Sequence, residues 1–205
     1  RAKIWLLTKD RITIRKTKKM GIFEHIRKRR SVYPHQFSEE KIDDEAIQKL
    51  LESANWAPTH RKTEPWRFKI LTGKSKQDAG LYFKNVYLKN TEKPKQFKAK
   101  KIKLKFEQSS HVIAVCMQRN PKESLPEWEE VAATSMAIQN MWLASKSLDI
   151  GMYWSSPAFK DKIADFLSLE IGEKCLGFLY LGRFDGELEA VERQSSIDEK
   201  TQWYR

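Results

Sequence analysis

Apolar positions recur along this chain with two periods, and the switches between them mark out a mixed domain. Residues 22–29 alternate apolar and polar groups at helical spacing and run into Arg29-Arg30-Ser31. Beyond Asp43 or Asp44, either of which can cap a helix, Ile47, Leu50, Leu51 and Ala54 form one apolar face, and Pro58 supplies a stop. Residues 66–71 read as a strand and Thr72-Gly73 as a turn. Residues 75–90 fit a second helix with Leu81, Phe83, Val86, Tyr87 and Leu88 as core contacts. Residues 111–117 are apolar without interruption, the pattern of a strand covered on both faces. Residues 126–148 carry the longest helical pattern, with Val131, Ser135, Ile138, Met141, Trp142 and Ser145 along one side. Small residues there (Ala132, Ala133, Ala137, Ala144) permit close helix packing. The chain restarts at residues 151–154, and Pro157 ends that segment. A short helix over 160–168 and a last buried strand over 175–181 follow. No internal repeat, Gly/Ser linker or domain boundary is visible, so the expectation is one α/β or α+β domain.

Composition narrows the class. The chain has 205 residues, enough for one real core and long for two, and 40% hydrophobic with 11% aromatic content argues against disorder. No apolar run approaches the ~18 residues of a membrane helix. Ile4-Trp5-Leu6-Leu7 is too short for a signal-peptide core. The two cysteines, Cys116 and Cys175, lie in apolar runs and form no Cys-x-x-Cys, which suits buried free thiols and a cytoplasmic location. The four histidines (His25, His35, His60, His111) show no paired spacing of the kind zinc uses, and no Gly-x-Gly-x-x-Gly occurs. Neither a metal site nor a Rossmann cofactor site is expected.

The net charge of +12 invites a nucleic-acid reading, so its distribution matters. Residues 1–19 hold eight basic residues and one acid, +7 of the total, which leaves +5 for residues 20–205. Met20-Gly21-Ile22-Phe23-Glu24-His25-Ile26 resembles the usual opening helix of a known enzyme family, which implies that residues 1–19 are a basic extension outside the fold. A second basic stretch, residues 93–105, holds seven lysines and no acid. Such a run is ordinarily a solvated face. Its functional alternative is a lid whose charge attracts a phosphorylated nicotinamide donor.

Three segments carry candidate chemistry. Arg29-Arg30-Ser31 pairs two guanidinium forks with a hydroxyl, donors that suit a phosphate and stay charged at neutral pH. Trp56-Ala57-Pro58-Thr59-His60 and Pro65-Trp66-Arg67-Phe68 fall where a helix gives way to an apolar strand, a place for something flat and partly apolar. Phosphate at one end and a planar ring at the other describe a flavin mononucleotide.

In this order, with Gly151-Met152-Tyr153-Trp154-Ser155-Ser156 and the late Gly177-Phe178-Leu179-Tyr180-Leu181-Gly182, the segments resemble the nitroreductase family of FMN-dependent oxidoreductases, in its compact branch. The resemblance runs from about Met20 to the C-terminus. It departs at Lys62 and Glu64, where many members have Asn and Gln, and at Ser155, where the compact branch often has Arg. The resemblance implies an α+β sandwich, a central mostly antiparallel sheet flanked by helices, assembled as a homodimer with the flavin at the subunit interface. It places Arg29, Arg30 and Ser31 on the FMN phosphate or ribityl chain, with a further contact from Arg193. It puts Trp56 and His60 beside the flavin, and Trp154, Ser155 and Ser156 at its ring. No side chain need act as acid or base. The activity implied is ping-pong transfer of hydride from NADH or NADPH through FMN to a nitroaromatic, quinone or similar small acceptor. Dehalogenation or flavin fragmentation on the same fold is the near alternative. A basic nucleic-acid-binding protein is the distant one, and it is opposed by a lysine run with only Phe97 and Phe106 as stacking aromatics.

Overall fold

A computed structural model describes residues 21–122 and 124–205. The expected basic extension, residues 1–19, lies outside the described residues. Four antiparallel strands form one sheet in the order β1-β2-β4-β3, from β1 (Trp66–Leu71), β2 (His111–Gln118), β3 (Gly151–Ser155) and β4 (Glu173–Gly182). β2 and β4 occupy the centre, which is why both are apolar on both faces. Among the described residues five α-helices surround the sheet: α1 (Ile22–Lys28), α2 (Asp44–Asn55), α3 (Gly73–Asn90), α4 (Gln96–Gln108) and α5 (Glu127–Ser145).

Helices α2 and α5 cover one face. There Ile47, Leu50 and Ala54 meet Ala137, Ile138 and Met141 over Ile113, Val115, Met152, Leu179 and Leu181. Helices α3 and α4 cover the other face, where Phe83 and Phe106 pack on Val112, Ala114, Cys116, Cys175, Phe178 and Tyr180. Asp43 proves to be the cap of α2, its carboxylate accepting from the Ala46 N–H at 2.7 Å, a contact worth about 1 kcal/mol. Between Val115 and Cys116 the β2–β4 register shifts, with Leu176 the extra residue on β4. That bulge explains why Cys175 and Phe178, an odd number of residues apart, share one core.

Thr72 is the N-cap of α3, its N–H donating to Ser75 Oγ at 3.2 Å, and Gly73 at φ 49° turns the chain into a helix that begins there. Several sequence expectations need correction. Leu81 is 45% exposed, since the inward face of α3 is set by Ala79, Phe83 and Val86. On α5 the buried face runs through Ala133, Thr134 and Ala137 as well as Ile138, Met141 and Ser145. Val131, Ser135 and Trp142 are only half-buried. The short helix expected over 160–168 is a 3-10 segment, Lys160–Asp165.

The lysine-rich stretch is a packed helix. Ala99 and Phe106 of α4 are buried, with Ile102 between them on the same side. The buried Lys76 ammonium closes the helix end by donating to the Glu107 and Ser109 carbonyls. Burial depresses the Lys76 pKa, with Lys41 adding to the effect. Lys105 turns inward, its Nζ 5.2 Å above the Tyr153 ring.

The free edge of β3 positions the arginine motif. The Val32 N–H donates to the Met152 carbonyl at 3.0 Å, so the chain leaving Ser31 runs beside β3. A Cβ at Gly151 would stand 2.9 Å from Val32 Cβ and 3.0 Å from Phe37 and Phe184, so only glycine admits this approach.

Candidate functional site

Helix α1 ends at Lys28, and Arg29 departs in extended conformation (φ −61°, ψ 130°) with its N–H bonded to the His25 carbonyl. The side chains of Arg29 and Arg30 then take different duties. Arg30 is tied to the backbone: Nη1 donates to the Arg27 and Arg29 carbonyls at 2.7 and 2.9 Å, and Nε to the Glu189 carbonyl at 3.2 Å. The Arg30 carbonyl accepts from Trp142 Nε1 at 3.1 Å. Arg30 thereby pins the tail after β4 and the end of α5 to the motif.

Among the described residues Arg29 has no acid paired with it: its guanidinium lies 4.6 Å over the Trp142 ring, and its buried Nη1 has no hydrogen-bond partner there. Its pKa is held below the ordinary value by burial, then by the charges of Arg193 and Arg30. Arg29, Arg30, Ser31 and Arg193 line one cleft of about 820 Å³, with Tyr33 on its wall and Glu192 as its acid. Clustered guanidiniums with a missing acceptor fit a dianionic phosphate in both charge and donor geometry. A second cleft, about 790 Å³, lies across the arginine pair between α1 and the end of α5, floored by Trp142.

Trp56 and His60 sit elsewhere. Trp56 ends α2 and is 80% exposed. His60 begins a 3-10 turn, and its Nδ1 lies 2.6 Å from Glu129 Oε2 on the first turn of α5. Arg61 Nη1 donates to the Ser124 carbonyl at 3.2 Å. In this loop Arg61, Lys62 and Glu64 all adopt positive φ (50°, 54° and 43°), conformations that cost energy and concentrate at functional sites. Glu129 and Trp142 are thirteen positions apart on α5, which at 1.5 Å per residue separates the His60 end from the arginine end by about 20 Å. The fold therefore brings Arg29, Arg30, Ser31 and Arg193 together but leaves Trp56 and His60 apart from them.

The strand motif divides between faces. Trp154 packs on the α2/α5 side with its Nε1 buried and unpartnered, whereas Ser155 lines a small apolar pocket with Lys105 on the opposite side. Ser156 is exposed just beyond the strand. At Gly177 of β4 (φ 147°) a Cβ would fall 2.5 Å from the Ser155 carbonyl and 2.9 Å from Trp154 Nε1, so glycine lets β4 press against this motif. Sequence reasoning missed Tyr33 and Glu129, placed Gly177 only in the late strand motif, and set Trp142 on the apolar side of its helix. For Glu129 a signal existed in the acid-rich start of α5, which invites a cationic or donor partner.

The profile of the Nitroreductase family matches residues 26–183. The chain belongs to the nitroreductase family. Among its relatives, "Putative NAD(P)H nitroreductase YfhC" of Bacillus subtilis (strain 168) is 28% identical over 179 residues, covering 85% of this chain and 90% of that protein. The crystal structure of a nitroreductase-like family protein from Bacillus cereus matches with TM-score 0.76 at 27% identity, covering 92% of this chain and 98% of that one. The FMN-dependent nitroreductase NfnB from Mycobacterium smegmatis, solved in complex with NADPH, shares the fold with TM-score 0.67 at 16% identity, over 88% and 96% of the two chains. The expected sandwich of helices about an antiparallel sheet is thus the nitroreductase fold. Among the described residues no helix is long and apolar enough to cross a membrane, and no group of three or more His, Cys, Asp or Glu side chains could hold a metal ion.

Proposed function

We propose that this nitroreductase is an FMN-dependent NAD(P)H oxidoreductase that reduces a nitroaromatic, quinone or similar small acceptor by a ping-pong mechanism. The observation that carries this reading is Arg29, whose buried, unpartnered Nη1 stands in a cleft shared with Arg193 and Ser31. Arg29 and Arg193 hold the FMN phosphate, the Ser31 hydroxyl donates to it, and Arg30 fixes the backbone around it. From the end of β3, the segment Trp154, Ser155 and Ser156 offers backbone and hydroxyl donors to the ring. FMN supplies, when bound, the acceptance of hydride from NAD(P)H and its delivery to the second substrate. The protein's part is to bind, orient and leave one ring face open, so no side chain is assigned as acid or base.

The functional particle is a homodimer. From Val131 to Ser145 α5 contains no Asp, Glu, Lys or Arg, although Met136 is 40% exposed, and Trp128 near its start is 68% exposed. Exposed apolar side chains on a helix that carries no charge along this stretch suit a partner surface. A two-fold axis across α5 would bring Trp56 and His60 of one subunit toward the arginine cleft of the other. Residues 20–205 make up this FMN-binding domain, and residues 1–19 are dispensable. The two free, buried thiols suit a reducing compartment such as the cytoplasm.

The purified protein should be yellow, release FMN on heating at close to one per subunit, and elute as a dimer with or without residues 1–19. FAD as the released flavin, or a flavin-loaded active monomer, would sink the reading.

A further inference from the structure

Cys116 of β2 and Cys175 of β4 stand directly opposite each other in the antiparallel ladder. Both are free thiols, both are buried, and both belong to the core under α3 and α4. Opposed residues of an antiparallel pair have Cα atoms about 4.5–5.5 Å apart, inside the roughly 4.4–6.8 Å that disulfides span. Residues paired in this way project to the same face. The mutual influence of the two thiols, the largest cause in each, raises the Cys116 pKa and lowers that of Cys175. Cys175 is thus the sulfur disposed to lose its proton, with the Lys160 ammonium adding to the effect.

The core around this pair includes the 3-10 segment Lys160–Asp165, whose Ile163 is buried in the same cluster. Short 3-10 segments have poor hydrogen-bond geometry, and their local opening offers a small reagent a path. The bulge at Leu176 gives β4 backbone freedom beside Cys175.

We propose that Cys116 and Cys175 are a reversible redox pair that closes into a disulfide within the sheet when the folded protein meets a hydroperoxide. The Cys175 thiolate attacks the terminal peroxide oxygen. The O–O bond breaks, and the departing alkoxide takes up the proton Cys175 had released, leaving a sulfenic acid. The Cys116 sulfur then attacks the Cys175 sulfur. The S–S bond forms, the S–O bond breaks, and hydroxide leaves with the Cys116 proton as water. Two thiols lose two electrons and two protons, and the peroxide becomes an alcohol and water, or two waters when it is hydrogen peroxide. The pair lies close to the candidate flavin site, because Cys175 Sγ donates to the Gly177 carbonyl at 3.6 Å and Gly177 presses against Ser155. The disulfide itself does not depend on flavin binding.

The test treats the folded full chain with excess hydrogen peroxide, then unfolds it and alkylates whatever thiols remain. Methionine oxidation adds mass of its own, so the thiols are counted by alkylation and the linkage is read from a non-reduced digest. The expected result is loss of both alkylation sites, a linked Cys116–Cys175 peptide about 2 Da lighter than the two reduced peptides combined, and recovery of both thiols with dithiothreitol. In Cys116→Ala, checked for folding by circular dichroism, the linkage is absent and Cys175 is trapped by dimedone as its sulfenic acid. Full alkylation of both cysteines in the wild type after peroxide, or oxygen addition at either cysteine without the linked peptide, would overturn the proposal.

Discussion

Arg29→Ala separates a phosphate anchor from a packing residue, because the two predict effects in different measurements. In the flavin-free protein, truncation removes the contact with the Trp142 ring, worth about 0.5–1 kcal/mol. It also removes a desolvated charge crowded by Arg193 and Arg30, which contributes with the opposite sign. No hydrogen bond from the Arg29 side chain to a protein acceptor is present among the described residues. The stability of the empty protein should therefore change by no more than about 1 kcal/mol. Against FMN the same truncation removes a charge-assisted contact worth about 1.5–3 kcal/mol, or roughly 10- to 150-fold in Kd. Thermal unfolding makes the difference visible. At an FMN concentration of 100 times the wild-type Kd, ligand linkage stabilises the wild type by about 2.7 kcal/mol, which is roughly 5–10 °C for a chain of this size. At that concentration the variant keeps only about 0.3–1.4 kcal/mol of linkage. Riboflavin, which lacks the phosphate, should bind both proteins equally. A flavin-free variant that melts many degrees lower with an unchanged FMN Kd would refute the argument and make Arg29 a structural residue.

Three further outcomes follow from other parts of the fold. Lys62 sits at φ 54° with no side-chain contact that a glycine would lose among the described residues, so Lys62→Gly should raise unfolding free energy by about 0.5–1 kcal/mol in urea titration. A loss instead would mean the loop is not strained. Burial holds the His111 pKa below its ordinary 6.5, so below that pH the unfolded chain takes up a proton the folded one resists. Stability should fall as pH drops from about 6.5 toward the depressed folded value, and His111→Asn should flatten that slope in pH-dependent melts. On α4, Lys103 is paired with Glu107 at 2.5 Å, and the helix is packed rather than hinged. Replacing Lys100, Lys101 and Lys103 by Ser should therefore leave both flavin content and KM for NAD(P)H unchanged at low and moderate salt; a raised KM that salt mimics would restore the lid.

Much of the fold is local and was open to a reading of the sequence. Uninterrupted apolar residues over β2 required a central strand, and Asp43 ahead of an apolar stripe required a capped helix. The motif order alone sufficed to point to the nitroreductase family. Tertiary structure decided which faces are covered and which distant groups meet. Leu81 looks like core by period, but its side of α3 is left exposed among the described residues. The lysines of α4 are mostly solvated, as composition suggests, while Ala99, Ile102 and Phe106 fix the other side of the helix against the sheet. At the site, the adjacency of Arg29, Arg30 and Ser31 is written in the chain. The contacts of Arg30 with the Glu189 carbonyl, 159 residues away, and with Trp142, 112 away, are not. Those contacts bring the tail carrying Arg193 and the ring of Trp142 to the same guanidiniums. The pairing of His60 with Glu129 and the face shared by Cys116 and Cys175 are of the same kind. The first depends on how α5 lies over the loop, the second on a one-residue bulge. Periodicity reports what a segment can bury, whereas charge convergence and strand register depend on where the rest of the chain comes to rest.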